Sequence, residues 1–255
     1  MSNALNRHQA ERVRQEPKRR ILTVAAVRDI TPRMRRIELT SPDLADFASR
    51  APDDHVKLFL PDATTPSGEA MRDYTPRRFD PERRLLTLDF ALHEAGPATR
   101  WALAAAPGDR LAIGGPKGSV IVPDDFDWYL LVGDESALPS IGRRIESLRP
   151  GVPVTSVVIV EDAADIQHFD TAARHESVWV LRSGRAGADA ALLREALARW
   201  RAPEGEGYAW IAAEAQVARA AKAYMLDERA HPKAWLKASG YWVRGAAGAT
   251  DKMEG

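Results

Sequence analysis

The sequence predicts two domains of different class, an antiparallel β-barrel followed by an α/β domain built on a parallel sheet. Between residues 21 and 123, short strand-like runs alternate with turn-forming segments, which is typical of a small barrel or sandwich. Beyond residue 125, apolar runs alternate with helical patterns, which indicates parallel strands with helices on both faces of the sheet. The change falls near Pro123-Asp124-Asp125, so we predict domains at 18–124 and 125–255.

The strands of the first domain are predicted from short apolar runs and from alternation. In the segment 86–92, leucines and a phenylalanine alternate with Thr, Asp and Ala, which is the period of a half-buried strand. One helix is expected to begin near Pro97, because proline suits the first helical turn. Residues up to about Arg20 are polar and are expected to form a frayed tail or a solvated helix. The remaining strands are predicted at Ile21–Val24, Met34–Leu39, His55–Leu60 and Leu111–Ile113.

The second domain begins with Trp128–Gly133, an uninterrupted apolar run typical of a fully buried parallel strand. A helical pattern follows through Ile141, Ile145 and Leu148 and stops before Pro150-Gly151. The later elements are predicted as strands at Val154–Val160, Val178–Leu181 and Ala209–Ala213, helices at Ala188–Trp200 and Gln216–Glu228, and a last strand that carries Tyr241 and Trp242.

Composition excludes several classes of function. Lys+Arg and Asp+Glu both total 36, so the formal net charge is zero and no overall field attracts nucleic acid. The absence of cysteine excludes disulfides, thiolate metal sites, iron–sulfur clusters and thiol catalysis. The six histidines show no spacing typical of metal ligands, so no metal site is predicted. Neither a signal peptide nor a membrane-spanning run is visible, so we expect a cytoplasmic protein. We also expect it to be a monomer.

Two clusters carry the chemistry of the first domain. Arg72-Asp73-Tyr74-Thr75 offers a guanidinium, an aromatic ring and a hydroxyl within four residues. Gly96-Pro97-Ala98-Thr99 opens the predicted helix, whose unpaired N–H groups and dipole favour phosphate, and His93 lies just before it. Together the clusters are suited to the pyrophosphate and ring of a flavin dinucleotide. Taken singly, Arg72 is better explained as an exposed turn residue and Tyr74 as a core aromatic.

These clusters belong to a longer ordered set of motifs. The set comprises His55-Val56-Lys57-Leu58, Arg72-x-Tyr74-Thr75, Leu92-His93-x-x-Gly96-Pro97-Ala98-x-x-Trp101, Gly133-Asp134-Glu135-Ser136-Ala137-Leu138-Pro139 and Gly240-Tyr241-Trp242-x-Arg244-Gly245. In this order the motifs resemble the ferredoxin–NADP reductase superfamily and, within it, the siderophore-interacting protein family of flavin-dependent ferric-siderophore reductases. The resemblance runs from about Lys18 to Gly245.

The resemblance implies that the first domain binds FAD and the second binds NADPH or NADH. Arg72 would meet the pyrophosphate, Tyr74 would pack against the flavin, and Thr75 would lie near its ring. Asp134 to Ala137 would approach the flavin and the nicotinamide, although plain N-capping by Asp134 or Ser136 explains that motif equally well. The cofactor-binding residues expected are Arg72, Asp73, Tyr74, Thr75, Asp89, His93, Gly96, Pro97, Ala98, Thr99, Asp134, Ser136, Ala137, Tyr241 and Trp242. No catalytic acid or base is predicted, because neither hydride transfer to a flavin nor electron transfer to iron requires one.

The implied substrate is a ferric siderophore, commonly an anion, so cations are expected where it binds. The substrate-binding residues expected are Lys57, Lys237 and Arg244, each of which is alternatively an ordinary surface charge. Arg182 and Arg185 follow a parallel strand and are candidates for the 2′-phosphate of NADPH.

Two other functions remain open from the sequence. The first is a flavin reductase of the same superfamily whose partner is a ferredoxin or a flavodoxin. The second is a non-enzymatic protein that binds iron chelates or nucleotides without turnover.

Overall fold

A computed structural model describes residues 7–93, 96–246 and 248–253. The chain forms two compact units. One unit is Ala10–Val122, and the other extends from Pro123 onward and includes the amino-terminal segment up to Gln9. Among the described residues, no helix combines the length and the apolar character that a membrane crossing requires.

The unit Ala10–Val122 is a curled antiparallel sheet that forms a half-barrel, as the alternation predicted. Its seven main strands lie in the order β5-β4-β8-β2-β3-β7-β6. Their inward faces bury a core that includes Leu22, Ile37, Leu58, Leu88 and Phe90. The elements are β1 (Glu11–Arg14), β2 (Arg19–Thr31), β3 (Met34–Thr40), β4 (Val56–Pro61), β5 (Glu69–Tyr74), β6 (Pro76–Asp80), β7 (Leu85–Ala91), α1 (Pro97–Ala104), β8 (Arg110–Gly114) and β9 (Gly118–Ile121).

The prediction of a tail or a helix before Arg20 was wrong for residues 11–14 and 19–20, which form β1 and the start of β2, whereas residues 1–6 lie outside the described part of the chain. β1 pairs with β9 in an antiparallel ribbon, with Val13 opposite Ser119. Gly118 makes this pairing feasible, because a Cβ there would lie 2.3 Å from the carbonyl oxygen of Val13 and its φ is +147°. The partner strand lies more than a hundred residues further along the chain, so the local pattern alone could not predict the strand.

Besides β1 and its partner β9, the structure contains two further strands, β5 and β6, that the sequence pattern did not predict. β5 pairs with β4, and β6 pairs with β7. Both carry charged residues in place of a clean apolar alternation, among them Arg72, Asp73, Arg77 and Arg78. Pairing with neighbouring strands therefore outweighs the weak local preference of these segments.

The second unit is a five-stranded parallel sheet, as predicted. The strand order is β12-β11-β10-β13-β14, and every adjacent pair is parallel. α3 and α4 pack on one face over Leu130, Val132 and Val157. α2 contacts β10 and β11 and buries Ile141 and Ile145 outside that cluster. The elements are β10 (Trp128–Gly133), α2 (Leu138–Ser147), β11 (Pro153–Val160), β12 (Arg174–Leu181), α3 (Asp189–Arg199), β13 (Gly207–Glu214), α4 (Ala215–Ala223) and β14 (Leu236–Trp242).

The helix predicted at Gln216–Glu228 is shorter than the pattern suggested. α4 ends at Ala223, and Tyr224–Glu228 forms a π-helical turn. The turn closes where the carbonyl of Tyr224 accepts from the N–H of Arg229 at 3.1 Å. Helical periodicity continues through such a turn, so the sequence does not reveal the change of winding.

Candidate functional site

β5 presents Arg72 and Tyr74 near the end of the strand. Antiparallel pairing with β4 sets Leu58 opposite Arg72 and Val56 opposite Tyr74. The Nη1 of Arg72 donates to the carbonyl oxygen of Met71 at 2.8 Å. Among the described residues, no carboxylate lies within ion-pair distance of this guanidinium. The strand therefore presents an arginine that is positioned by its own backbone and keeps most of its donors for a ligand.

Tyr74 lies at one end of a row of three aromatic rings. Its ring centroid lies 4.5 Å from that of Phe90, which in turn lies 5.6 Å from that of Trp101. Burial raises the pKa of the Tyr74 phenol well above its ordinary value, although the charge of Arg72 opposes the shift. The phenol therefore stays protonated and neutral, and its ring offers a fixed apolar surface.

The first turn of α1 leaves backbone N–H groups without an intrahelical acceptor. Gly96 is the N-cap residue and supplies no side-chain hydrogen bond to the helix. The first intrahelical bond runs from the N–H of Arg100 to the carbonyl oxygen of Gly96 at 2.9 Å, so the N–H groups of Ala98 and Thr99 have no intrahelical acceptor. The side chains of Ala98 and Thr99 are buried, which fixes the helix start in place.

Aromatic packing shows that β5 and α1 lie near each other, because the rings of Tyr74 and Trp101 both pack on that of Phe90. Hydrogen bonds from Thr64 lower the pKa of Asp62, and the charges of Arg100 and Arg72 lower it further. The half-buried carboxylate of Asp62, which follows β4, is thus stabilised by the charges of both guanidinium groups. Within this unit, the structure brings together the two clusters that the sequence nominated for a dinucleotide.

Asp89 and His93 flank this region at the end of β7. Asp89 is 4% exposed and accepts two bonds of 2.7 Å from Arg36 on β3. Its Oδ2 also lies 3.7 Å from the Nε of Arg77 on β6. These contacts tie three strands together, so any role of Asp89 in cofactor binding stays a prediction. His93 is exposed, and Glu94 and Ala95 lie outside the described residues.

In the second unit, Asp134 joins three strand ends. It follows β10 and is 1% exposed. Its Oδ1 accepts from the backbone N–H and hydroxyl of Ser136 at 2.9 and 2.5 Å. Its Oδ2 accepts from the N–H of Glu214 at 2.8 Å and from the indole Nε1 of Trp242 at 2.9 Å. Burial raises the pKa of Asp134 and the charge of Glu135 adds to this, while the hydrogen bonds oppose the shift.

The Asp134 contacts confirm N-capping as a role of this motif. Asp134 caps the 3-10 turn Glu135–Ala137, which leads directly into α2. Gly133 is required here, because a Cβ would lie 2.6 Å from the Cβ of Ala137 and 2.7 Å from the carbonyl oxygen of Ala212. Ala137 is fully buried. Direct contact of these residues with a cofactor stays a prediction.

Two matches between this chain and known protein families decide its identity. The family model for a siderophore-interacting FAD-binding domain matches residues 23–70 and 65–120. The model for a siderophore-interacting protein matches residues 126–245. The chain belongs to the siderophore-interacting protein family. The family models thus match segments in both compact units.

Individual relatives of this siderophore-interacting protein agree with that assignment. The NADPH-dependent ferric-chelate reductase of Escherichia coli (strain K12) is 33% identical over 253 residues, which span 91% of this chain and 96% of the relative. A crystal structure of a siderophore utilization protein from T. fusca is 37% identical, with a TM-score of 0.88 over 96% of this chain and 100% of that chain. The siderophore-interacting protein SipS from Aeromonas hydrophila is 32% identical, with a TM-score of 0.79 over 90% and 93% of the two chains.

The aromatic pair of β14 has internal partners in this siderophore-interacting protein. The hydroxyl of Tyr241 lies 3.1 Å from the Oγ of Ser140 on α2. Its ring meets that of Trp210 edge-on at 6.0 Å. Trp242 is held by Asp134. Both residues are half-buried, so each keeps a surface for a ligand.

The predicted substrate cations Lys237 and Arg244 do not lie together within the parallel-sheet unit, and Lys57 belongs to the barrel unit. Lys57 on β4 pairs with Asp73 on β5 at 2.7 Å. Lys237 on β14 lies opposite Trp210 on β13. It precedes Trp242 by five positions, or about 16 Å along an extended strand. Arg244 is exposed, and its guanidinium carbon lies 5.9 Å from the Trp242 ring centroid. The structure therefore separates Lys237 from Arg244, whereas Arg244 lies beside the aromatic pair.

Sequence reasoning missed the residues that support the site. Arg36 holds Asp89, and Glu214 caps α4 by accepting from the N–H groups of Gln216 and Val217 at 2.8 and 3.2 Å. The other oxygen of Glu214 accepts from the N–H of Arg244 at 3.2 Å. The position of Glu214 between a strand and a helix was a usable capping signal. The bond between Arg36 and Asp89 depends on strand register, which the local sequence does not give. Among the described residues, no group of three His, Asp or Glu side chains could hold a metal ion.

Proposed function

We propose that this protein is an FAD-dependent ferric-siderophore reductase, which passes electrons from NAD(P)H through the flavin to a ferric siderophore and releases Fe(II). The observation that carries the proposal is that the two family models match in order, at 23–120 and 126–245. The catalytic name of the Escherichia coli relative, which aligns along 91% of this chain, supports reductase chemistry. The domains we assign to FAD and to NAD(P)H are 18–124 and 125–255.

The residues near the start of α1 fit the pyrophosphate of FAD. Arg72 supplies a cation without a carboxylate partner among the described residues, and charge-assisted hydrogen bonds of this kind are the strong ones. The N–H groups of Ala98 and Thr99 add donors at the positive end of the helix. Tyr74 supplies a neutral ring surface for the flavin, with Thr75 beside it. We assign Asp73, Asp89, His93, Gly96 and Pro97 to the surroundings of the same cofactor.

When bound, the flavin accepts electrons in pairs from nicotinamide and gives them singly to iron. The side chains and backbone of the protein bind the cofactors and orient them. Asp134 holds Trp242 and the end of β13. We propose that Ser136, Ala137, Tyr241 and Trp242 are cofactor-binding residues of the parallel-sheet unit. No side chain is required as an acid or base for this reaction.

The substrate is a ferric siderophore, in which hard oxygen donors hold Fe(III) more tightly than Fe(II). Reduction therefore weakens the chelate and releases the metal. We assign Lys57, Lys237 and Arg244 to electrostatic attraction of an anionic chelate. We propose that the protein acts as a monomer in the cytoplasm and that a ferredoxin is an alternative electron donor.

An anaerobic assay of the purified protein tests this function. The expected result is a yellow protein with bound FAD, whose absorbance bleaches with NAD(P)H and which forms Fe(II) from ferric catecholates, as detected by a ferrous-specific chelator. Turnover only with a ferredoxin or flavodoxin would support a different reductase. A colourless protein that binds ferric chelates without reducing them would contradict the proposal.

A further inference from the structure

We propose that Glu214 is a positioning residue for the ferric chelate, because it fixes the turn that carries Arg244. The inference rests on the proposed function, in which Arg244 attracts an anionic chelate. Glu214 is the last residue of β13 and the N-cap of α4, and it is 3% exposed. Its hydrogen bonds connect the end of β13 with α4 and with the segment after β14, all within the parallel-sheet unit.

Capping of α4 does not by itself explain a glutamate at position 214. The Oε2 of Glu214 accepts from the N–H groups of Gln216 and Val217 at 2.8 and 3.2 Å. The shorter side chains of Ser, Thr, Asp and Asn are the ones preferred for such a bond. The additional methylene of Glu214 lets its other oxygen, Oε1, reach a different segment, where it accepts from the backbone N–H of Arg244 at 3.2 Å. The length of the side chain therefore serves this second contact.

The turn Val243–Ala246 does not supply an acceptor for the N–H of Arg244. Its closing bond runs from the N–H of Ala246 to the carbonyl oxygen of Val243 at 3.1 Å. Gly245 has a φ of +76°, as the third residue of a type II turn does. The closing bond of such a turn uses only the groups of its first and fourth residues. Glu214 provides the acceptor that the second residue, Arg244, needs, and it thereby holds the turn in place.

A β-bulge in β14 brings Trp242 opposite Glu214. In the register with β13, Glu214 pairs with Trp242, and Tyr241 is the extra residue. The indole Nε1 of Trp242 donates to the Oδ2 of Asp134 at 2.9 Å, and the same oxygen accepts from the N–H of Glu214 at 2.8 Å. Two buried carboxylates that are linked through the backbone thus hold Trp242 and, two residues later, Arg244.

The position of the Arg244 backbone determines where its charge is presented. The guanidinium carbon lies 5.9 Å from the ring centroid of Trp242, within the range of a cation–π contact, and the residue is exposed. Asp134 holds the ring and Glu214 holds the backbone, so both parts of the pair are fixed. A cation in a fixed position loses less conformational entropy when it binds an anion than a mobile one does. Glu214 therefore increases the affinity for an anionic chelate although its own charge is negative.

The test measures binding of an anionic gallium(III) catecholate, because Ga(III) has the charge of Fe(III) and is not reduced by the flavin. Calorimetric titration of the oxidised, FAD-loaded protein gives Kd. Glu214→Asp keeps the charge and the cap but is too short to reach Arg244. Glu214→Gln keeps an acceptor for α4 and turns an amide NH2 toward the N–H of Arg244. Both variants should raise Kd about threefold, the size expected for one exposed charge. Charge alone would leave Kd unchanged in Glu214→Asp and lower it in Glu214→Gln.

A double-mutant cycle shows whether the effect passes through Arg244. Arg244→Gln alone should raise Kd about threefold, and the addition of Glu214→Asp should raise it no further. An uncharged gallium(III) hydroxamate should bind to all these variants equally well. Glu195→Gln is the matched control, because it removes an exposed charge that pairs with Arg199 on α3, and it should leave Kd unchanged.

Urea unfolding identifies a variant that is not folded, and the other substitution of Glu214 then decides. An unchanged Kd in Glu214→Asp would overturn the inference, as would an equal increase with and without Arg244. Failure of the wild-type protein to bind the gallium catecholate would overturn it too. The expected pattern in a protein that does not reduce ferric catecholates would leave the inference standing while the proposed function fails.

Discussion

The start of α1 and the carboxyl edge of the parallel sheet both concentrate polar groups, but they use them differently. Arg72 donates to one neighbouring carbonyl, and the N–H groups of Ala98 and Thr99 have no intrahelical acceptor. At the sheet edge, Asp134 accepts four hydrogen bonds from protein donors, and Arg182 contacts three carboxylates. The first region retains donors for a ligand, whereas much of the polar capacity of the second is used to fix the backbone.

The difference explains why similar sequence signals have different meanings. From the sequence alone, polar residues at the end of a strand suggest contact with a ligand, whether they are Arg72 on β5 or Asp134 after β10. Because both oxygens of Asp134 are occupied, it acts as a positioning residue for Trp242 and the end of β13. Substitutions at the sheet edge should therefore lower stability, while substitutions near α1 should lower cofactor affinity and leave stability almost unchanged.

Asp134→Ala should have the largest effect on stability. It leaves the N–H of Glu214 and the indole of Trp242 without their buried acceptor, at a cost of about 3 kcal/mol in the free energy of unfolding. Urea unfolding followed by tryptophan fluorescence measures this change. The control Asp227→Ala removes an exposed carboxylate and should change the free energy by less than about 0.5 kcal/mol. Equal effects of the two variants would remove Asp134 from this role.

Arg72→Ala should weaken FAD binding by about tenfold to a hundredfold, because it removes charge-assisted donors worth about 1.5–3 kcal/mol. The dissociation constant of FAD, measured by recovery of flavin fluorescence, checks the change, and the urea midpoint of the apoprotein should stay constant. Arg83→Ala, at an exposed turn after β6, is the matched control. Full flavin occupancy in Arg72→Ala would show that the pyrophosphate is bound elsewhere.

The pair Lys57–Asp73 should give a smaller effect. Its members are 37% and 28% exposed, and pairs of this kind contribute about 0–1 kcal/mol. If Lys57 attracts the ferric chelate, Lys57→Gln should raise KM for an anionic chelate about threefold, and Asp73→Asn should lower it by a similar factor. An uncharged ferric chelate should show neither change. Identical KM shifts for both chelates would argue against an electrostatic role.

The smallest effect expected is a pH dependence confined to the parallel-sheet unit. Burial lowers the pKa of His231 from 6.5, although the carbonyl of Trp235 opposes the shift, and burial also lowers the pKa of His175. The unfolded chain therefore binds more protons below pH 6.5 than the folded chain does, so stability should fall as the pH drops through this value toward the lowered pKa. Urea unfolding at several pH values measures this slope. His231→Asn should flatten it, and an unchanged slope would contradict the assignment.

The extent to which the sequence predicted the fold differs between the two units. β10 begins and ends where its apolar run does, because a fully buried strand needs no partner-specific signal. β1 and β5 were missed, since both are polar strands that form only through pairing with β9 and β4. The parallel-sheet unit was therefore easier to predict than the barrel.

The candidate site shows the same division. Arg72, Tyr74 and the start of α1 were nominated from residue type and order alone. The four donors to Asp134 come from residues up to 108 positions away, and the carboxylates that surround Arg182 come from three separate segments. Whether protein groups already occupy the acceptors of Asp134 and the donors of Arg182 depends on tertiary structure. The sequence therefore could not distinguish a residue that positions its neighbours from one that is free to contact a ligand.

The most direct test of the account is single-turnover electron transfer. The FAD-loaded protein is reduced anaerobically with NADH, freed of excess nucleotide, and mixed rapidly with a ferric catecholate. We predict that the flavin reoxidises at the rate at which Fe(II) appears, with two Fe(II) formed for each flavin, because a hydride carries an electron pair. A flavin that stays reduced in the presence of the ferric chelate would contradict the account.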